Sequence, residues 1–144
     1  MAKTKSQFGT VVRIKKHQEK IAQQQLTQIR DTHLREQEML TRLNHAKEVA
    51  VNEIPSTGKA RATDLQMHRA FVFKLSRQID RQTGLVKEIR EKEEEKREEV
   101  TKRAQSRQMV EKLDERKQAD VVRESDRKEQ SVIDELAKRT GKVA

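Results

Sequence analysis

Apolar residues recur at alternating spacings of four and three residues in two long stretches of this 144-residue chain. This heptad spacing puts a row of residues along one side of an α-helix and is typical of helices that pack as a coiled coil. In the first stretch the row is Ala22, Leu26, Ile29, His33, Glu36, Leu40, Leu43, Lys47, Ala50 and Ile54. In the second stretch it is Val72, Leu75, Ile79, Gln82, Val86 and Ile89.

Helix-breaking residues lie between the two stretches. The only proline of the chain is Pro55, and Gly58 follows it. Proline disfavours helical backbone at the residue before it, so the first helix is expected to end there. Thr63 and Asp64 are good N-cap residues for the helix that follows.

These features predict an all-α fold, a long antiparallel two-helix coiled coil that forms one α-hairpin domain over residues 1–144. We expect helix 1 at about 4–53, a loop at about 54–62 and helix 2 at about 63–140. Folding the chain at the loop brings together residues whose numbers add up to about 118. The expected facing residues are Leu43 and Leu75, Leu40 and Ile79, Ile29 and Ile89, and the polar Glu36 and Gln82.

Residues 88–103 carry 13 charged side chains out of 16, and only Ile89 and Val100 are large and apolar there. Valines continue at intervals of about eleven residues, which is almost three helical turns and therefore one face of the helix. The series is Ile89, Val100, Val110 (one residue early), Val121 and Val132. Helix 1 is too short to cover all of it. Residues from about 116 to about 140 are expected to extend past helix 1 and to need a partner.

The composition excludes a large globular core, because charged residues make up 40% of the chain and hydrophobic ones 32%, with no Trp or Tyr. No apolar run approaches the length of about 18 residues that spans a membrane, and no signal peptide is visible, so a soluble cytosolic protein is expected. The net charge of +9 falls at the ends of the two helices away from the loop, in residues 1–20, 102–117 and 121–144. A basic end of this kind indicates one of two things. Either the charges keep a thin rod solvated, or this end of the protein contacts a negatively charged partner such as an acidic ring, nucleic acid or anionic lipid.

Enzymatic chemistry is not expected. The segment STGKA at residues 56–60 lacks the first glycine of a phosphate-binding loop, because Glu53 stands there, and no strand precedes it. The four histidines, at positions 17, 33, 45 and 68, lack metal-ligand spacing. A two-helix rod also has no pocket that could desolvate a catalytic group. We therefore expect no catalytic residue, no cofactor and no metal.

Three short motifs resemble those of the flagellar type III export protein FliJ family. Their residues are Phe71, Val72, Leu75, Ile79 and Gln82; Glu111, Lys112, Leu113 and Arg116; and Asp134, Glu135, Ala137 and Arg139. The chain length, the hairpin and the loop position agree with that family as well. The resemblance implies a coiled coil similar to the central stalk of rotary ATP synthases. Such a protein inserts its open end into the hexameric export ATPase and promotes the assembly and activity of that ring.

The resemblance also implies further partners, namely the cytoplasmic domain of the export gate and the export chaperones. It locates the protein in the cytoplasm at the inner face of the inner membrane, peripherally associated through the export apparatus. The gate-binding residues implied near the loop are Met67, Phe71, Leu75 and Gln82. The ring-binding residues implied at the open end are Arg116, Val121, Arg123, Arg127, Lys128, Val132, Asp134, Glu135, Leu136 and Arg139.

One alternative remains from the residues alone. A basic helical hairpin with a pI of about 9.9 is compatible with binding to RNA or the ribosome. That hypothesis lacks aromatic stacking platforms, and the 24 acidic residues dilute the basic face. Export function is therefore favoured and no nucleic acid is expected. Whether the system is a flagellum or an injectisome is left open.

Overall fold

The computed structural model describes residues 7–53 and 61–141, and it contains two long α-helices. Helix α1 is Gln7–Asn52, of 46 residues, and helix α2 is Ala62–Gly141, of 80 residues. No strand occurs in the two described ranges. The predicted all-α fold of two long helices that pack together is therefore confirmed. Ile54, Pro55 and Gly58, which carry the predicted loop, lie outside the described residues.

The ends of the helices follow from local backbone hydrogen bonds. At the end of α1, the amide of Glu53 donates to the carbonyl oxygen of Val49 at 3.0 Å. At the start of α2, the amides of Asp64 and Leu65 both donate to the carbonyl of Arg61. Arg61 therefore takes the N-cap position that was predicted at Thr63 and Asp64. Asp64 lies in the first turn instead, where its negative charge is favourable to the helix dipole.

The chain forms two compact units, which we describe separately. The central unit is Ala22–Val100, and the terminal unit is the described part of Met1–Ile21 and Thr101–Ala144. The hypothesis of a single hairpin domain over residues 1–144 stays a prediction.

In the central unit, every predicted heptad position within the described residues is buried or half-buried. The buried side chains are Ala22, Leu26, Ala50, Leu75 and Ile89. Burying one Leu or Ile side chain contributes about 1.5–3 kcal/mol. This narrow apolar row is consequently what holds the central unit together.

One predicted polar layer of the central unit is also present. The side-chain nitrogen Nε2 of Gln82 donates to the backbone oxygen of Glu36 at 2.9 Å and to its Oε2 at 2.5 Å. His33 and Glu93 meet farther along, at 2.5 Å. Because a lower number in α1 meets a higher number in α2, the two helices of this unit are antiparallel. The residue numbers of His33 and Glu93 add up to more than the predicted 118, because long side chains lean toward the N-terminus of their own helix.

In the terminal unit the heptad spacing continues with mostly charged or polar residues. The half-buried positions at alternating spacings of four and three are Phe8, Val12, Lys15 and Glu19 in α1, and Arg103, Arg107, Val110, Asp114 and Lys117 in α2. We call these rows the terminal seam. Contacts across it join Gln18 to Arg103 at 3.1 Å and Lys16 to Glu111 at 3.7 Å. The two helices are antiparallel in this unit as well.

The predicted eleven-residue stripe of valines is covered by α1 only along its first part, as expected from the shorter length of helix 1. Val100 and Val110 are half-buried and each occupies a position of the heptad spacing, whereas Val121 and Val132 are exposed. Arg103, Arg107 and Lys117 stand at heptad positions near these valines. Arg and Lys suit such positions, because their aliphatic stems cover apolar surface while the charge stays in water.

Gly84 lies in the exposed face of α2, and a Cβ added there would meet no atom within 4 Å. We expect Gly84→Ala to raise the free energy of unfolding by about 0.5–1 kcal/mol, because alanine removes the excess backbone freedom of glycine. Urea denaturation followed by circular dichroism measures this change. Gly141→Ala, at the last residue of α2, is the control and should have little effect. A Gly84→Ala protein no more stable than the wild type would contradict the expectation.

Candidate partner-binding surfaces

All residues from 118 to 141 of α2 are exposed. We call residues 118–141 the distal segment. It begins directly after Lys117, the last residue of the terminal seam, whose ammonium lies 5.2 Å from the centre of the Phe8 ring. An isolated helix of this length is marginal in water, because most helical stability comes from packing. The distal segment is therefore the part of α2 in greatest need of a partner.

The predicted ring-binding residues form two rows on different faces of α2. In the first row, Val121, Lys128 and Glu135 continue the spacing of the terminal seam, and the other three members each stand one position after it. At about 100° per residue, all six lie on or next to the face that α1 covers earlier in the same unit. The members of the first row are Val121, Lys128, Val132, Glu135, Leu136 and Arg139. The second row lies more than 90° around the helix from the first row, and all of its members are charged. Its members are Arg116, Arg123, Arg127 and Asp134.

A further apolar row was not predicted. Val122 and Ile133 are exposed and eleven residues apart, immediately after Val121 and Val132. Together with Lys128 and Glu129, Val132 and Ile133 line a shallow depression on the helix surface. The eleven-residue repeat that predicted Val121 and Val132 also applies to Val122 and Ile133, so this pair could have been found from the sequence.

The predicted gate-binding residues divide into exposed and covered ones. Met67 and Phe71 are exposed and one helical turn apart, so they can form one surface. Leu75 is only 7% exposed, and the side chain of Gln82 is hydrogen-bonded to Glu36. Leu75 and Gln82 are thus part of the contact between α1 and α2. Only Met67 and Phe71 are presented for direct contact with a partner.

Phe73 is exposed on a different face of α2 from Phe71, as expected for positions about 200° apart on a helix. The guanidinium of Arg77 lies 4.6 Å from the centre of the Phe73 ring, which is a cation–π contact. The spacing of four residues between Phe73 and Arg77 puts them one helical turn apart, so the sequence itself carries a signal for this contact.

Two clusters of charged residues across the helix pair were also missed. In the central unit, Glu93 contacts His33, Arg30 and Arg97. The Nε2 atom of His33 is buried and has no hydrogen-bond partner among the described residues. Glu93 follows Ile89 by four residues, so an uninterrupted heptad count would have included it.

In the terminal unit, Arg107 contacts both Glu19 and Glu111, and Lys16 contacts Glu111. The hydrogen bond to Glu19, then the one to Glu111, raises the pKa of the Arg107 guanidinium above its ordinary value. Arg107 is therefore permanently charged. This cluster joins the two helices within the terminal seam and along one flank of it.

The described residues hold no group of three or more His, Asp or Glu side chains that could bind a metal ion. Within the same ranges, neither helix has a segment that is both long and apolar enough to cross a membrane.

Comparison with known proteins gives one match. The family model described as "Flagellar FliJ protein" matches residues 4–142, which is almost the entire chain. No curated protein and no solved structure matches the sequence with significance.

Proposed function

Because the chain belongs to the flagellar FliJ family, which serves flagellar protein export, we propose that it acts there as the stalk of the hexameric export ATPase. In this proposal the distal segment enters the pore of the ring and promotes the assembly and activity of the ATPase. The chain itself contributes no catalytic group. This agrees with the family, which is a non-catalytic component of export.

The observation that carries the proposal is the uncovered face of the distal segment. Val121, Val132 and Leu136 lie on or next to the face of α2 that α1 covers along the terminal seam, and all three are exposed. A ring lumen can surround such a helix and cover these residues, which one flat surface cannot do as fully. Burying three apolar side chains of this size contributes about 1.5–3 kcal/mol each.

The charged residues of the distal segment, together with Arg116 just before it, suit a lumen with acidic groups. In the proposal, Arg116, Arg123, Arg127, Lys128 and Arg139 face carboxylates of the ring, and Asp134 and Glu135 face its basic groups. A single exposed charge pair is typically worth under about 1 kcal/mol. Single charge substitutions should therefore matter little, and the apolar row should matter more.

Deleting residues 118–144 should abolish stimulation of a cognate export ATPase, because it removes the whole surface that enters the ring. The rate of ATP hydrolysis is measured with and without the added protein. The thermal unfolding of the truncated chain should stay close to that of the wild type, since every buried residue in the described ranges lies in the central unit.

Two full-length variants make the deletion experiment specific. Val132→Asp with Leu136→Asp should lose most of the stimulation, because carboxylates replace the apolar row. Val122→Asp with Ile133→Asp changes the neighbouring row and should retain most of it. If the truncated chain stimulated the ATPase as well as the full chain does, the stalk proposal would be wrong. Tight RNA binding at physiological salt would then favour the alternative function.

We further propose that Met67 and Phe71 bind the cytoplasmic domain of the export gate, and that export chaperones are partners in the same apparatus. The proposed location is the cytoplasmic face of the inner membrane. Leu75 and Gln82 support the gate surface from inside, because they hold α2 against α1. The exposure of Met67 and Phe71 one turn apart supports this proposal.

Phe71→Ala should weaken binding to the isolated gate domain by about 1–2 kcal/mol, or roughly five- to thirtyfold in Kd, as for an aromatic residue that anchors an interface. Phe73→Ala is a matched control, because the two rings are exposed to similar degrees, 52% and 60%, on different faces. Isothermal titration calorimetry measures the Kd of each variant for the gate domain. Equal losses for the two variants would contradict a surface centred on Phe71.

A further inference from the structure

The terminal unit has an apolar surface that the proposed function does not use. Ile14 is 51% exposed and Met109 is 67% exposed, and Val11 and Leu113 are exposed beside them. We call these four residues the apolar groove. In contrast to the central unit, the terminal unit has no buried side chain among its described residues.

The heptad spacing puts all four residues on one flank of the terminal seam. Val11 and Ile14 immediately precede the seam residues Val12 and Lys15, and the α2 residues of the groove precede seam residues in the same way. One step along a helix is a rotation of about 100°, so residues that precede the seam lie on one flank and residues that follow it lie on the other. In an antiparallel pair, the preceding flanks of both helices lie on the same side.

The ion pair between Lys16 and Glu111 supports this assignment. Both residues immediately follow a seam residue, and they meet at 3.7 Å across the pair. The flank formed by residues that follow seam residues in α1 therefore faces the corresponding flank of α2. The two flanks formed by residues that precede seam residues must then face each other as well. By position along the helices, Val11 lies opposite Leu113, and Ile14 lies opposite Met109. The four side chains thus border a groove between α1 and α2.

The charges around the groove are basic. Lys102 and Arg116 lie seven residues before and after Met109, in the same row of α2, and Lys112 lies in the next row outward. No Asp or Glu lies on this flank between residues 10 and 18 of α1 or between residues 102 and 116 of α2. A second copy of the chain would bring like charges together. An acidic partner is favoured instead.

We propose that the apolar groove binds an acidic amphipathic α-helix of a partner protein, which completes a three-helix bundle with the terminal unit. The partner helix inserts its apolar row between Ile14 and Met109, and its flanking carboxylates face Lys102, Lys112 and Arg116. From Val11 to Ile21, a further exposed apolar residue on this flank, the distance is about 15 Å, enough for roughly three turns of the partner. This binding needs no ATPase, and it shares only Arg116 with the stalk proposal.

The test uses the full-length chain and a fluorescent synthetic helical peptide with leucines in a heptad row and glutamates on both sides. Fluorescence anisotropy measures its Kd. One comparison peptide has lysine in place of each glutamate, and another has the same composition with its leucines spread around the helix. We expect the acidic amphipathic peptide to bind and both comparison peptides to bind much more weakly.

Variants of the chain locate the binding. Ile14→Gln with Met109→Gln should weaken binding of the acidic peptide by about tenfold or more, as for central residues of an interface. Leu34→Gln with Met39→Gln, a change of two exposed apolar residues in the central unit, should leave it unchanged. Lys102→Glu with Arg116→Glu reverses charges at the border of the groove without touching its apolar residues, and should also weaken binding.

Three results would overturn the proposal. The first is equal binding of the peptide to the wild type and to the Ile14 and Met109 variant. The second is equal binding of the acidic and the basic peptide. The third is a wild-type dimer in sedimentation equilibrium that the same variant converts to a monomer, because the groove would then be filled by a second copy of the chain.

Discussion

Ile89→Asp should unfold the central unit or lower its stability by about 3–5 kcal/mol, whereas Ile133→Asp should leave the stability of the protein nearly unchanged. The two substitutions are chemically identical. Ile89 is 9% exposed, so the new carboxylate would be buried without a partner, whereas Ile133 is 57% exposed and would place it in water. Chemical denaturation followed by circular dichroism measures both effects.

The expected loss is large in relation to the stability of the fold. Native domains are typically stable by only about 5–15 kcal/mol. The central unit depends on five buried side chains, of which two are alanines. If Ile89→Asp unfolded at the same denaturant concentration as Ile133→Asp, the helices could not be packed along the row that contains Leu26, Leu75 and Ile89.

Glu93→Lys should destabilise the central unit by about 2–4 kcal/mol more than Glu94→Lys does. The Glu93 side chain is 13% exposed and lies 2.5 Å from His33, 3.6 Å from Arg30 and 3.3 Å from Arg97. A lysine there would bring a positive charge to three basic side chains in a partly buried position. Glu94 is 64% exposed and contacts Arg97 alone among the described ion pairs.

The comparison isolates the contacts that cross between the helices, because both substitutions remove an ion pair with Arg97. The difference should shrink at high salt, which screens charge repulsion, but it should not vanish, since the site is mostly shielded from water. Denaturation at low and at high salt measures this. Equal stabilities of the two variants at low salt would show that Glu93 does not join α1 to α2.

The apolar part of the fold could be predicted from the sequence because its spacing is informative. Leu26, Leu75 and Ile89 stand three or four residues from other apolar residues of their rows. Only a helix brings residues at these intervals onto one side. The same spacing predicted the contact between Glu36 and Gln82, since both stand in the apolar rows. Membership of the FliJ family was predictable as well, from motifs at three places in the chain.

The charged contacts could not be predicted with the same rules. Glu93 and Arg107 look like solvated residues, because a heptad row of charged side chains has the same composition as an exposed face. Only their partners on the other helix distinguish them. Leu75 and Gln82 raise a related difficulty. Their positions in a family motif predicted gate binding, whereas their spacing predicted contact with α1, and burial supports the second of these.

The cross-helix contacts also bear on the order in which the protein folds. Gln82 and Glu36 are 46 residues apart in sequence, and His33 and Glu93 are 60 apart, whereas Arg103 and Gln18 are 85 apart. Closing a longer loop costs more entropy, although the cost rises only with the logarithm of loop length. Contacts between residues that are closer in sequence therefore form first, and contacts of larger sequence separation follow. The contacts of the terminal unit should form last and open first, so a newly made chain could engage a partner there before it has finished folding.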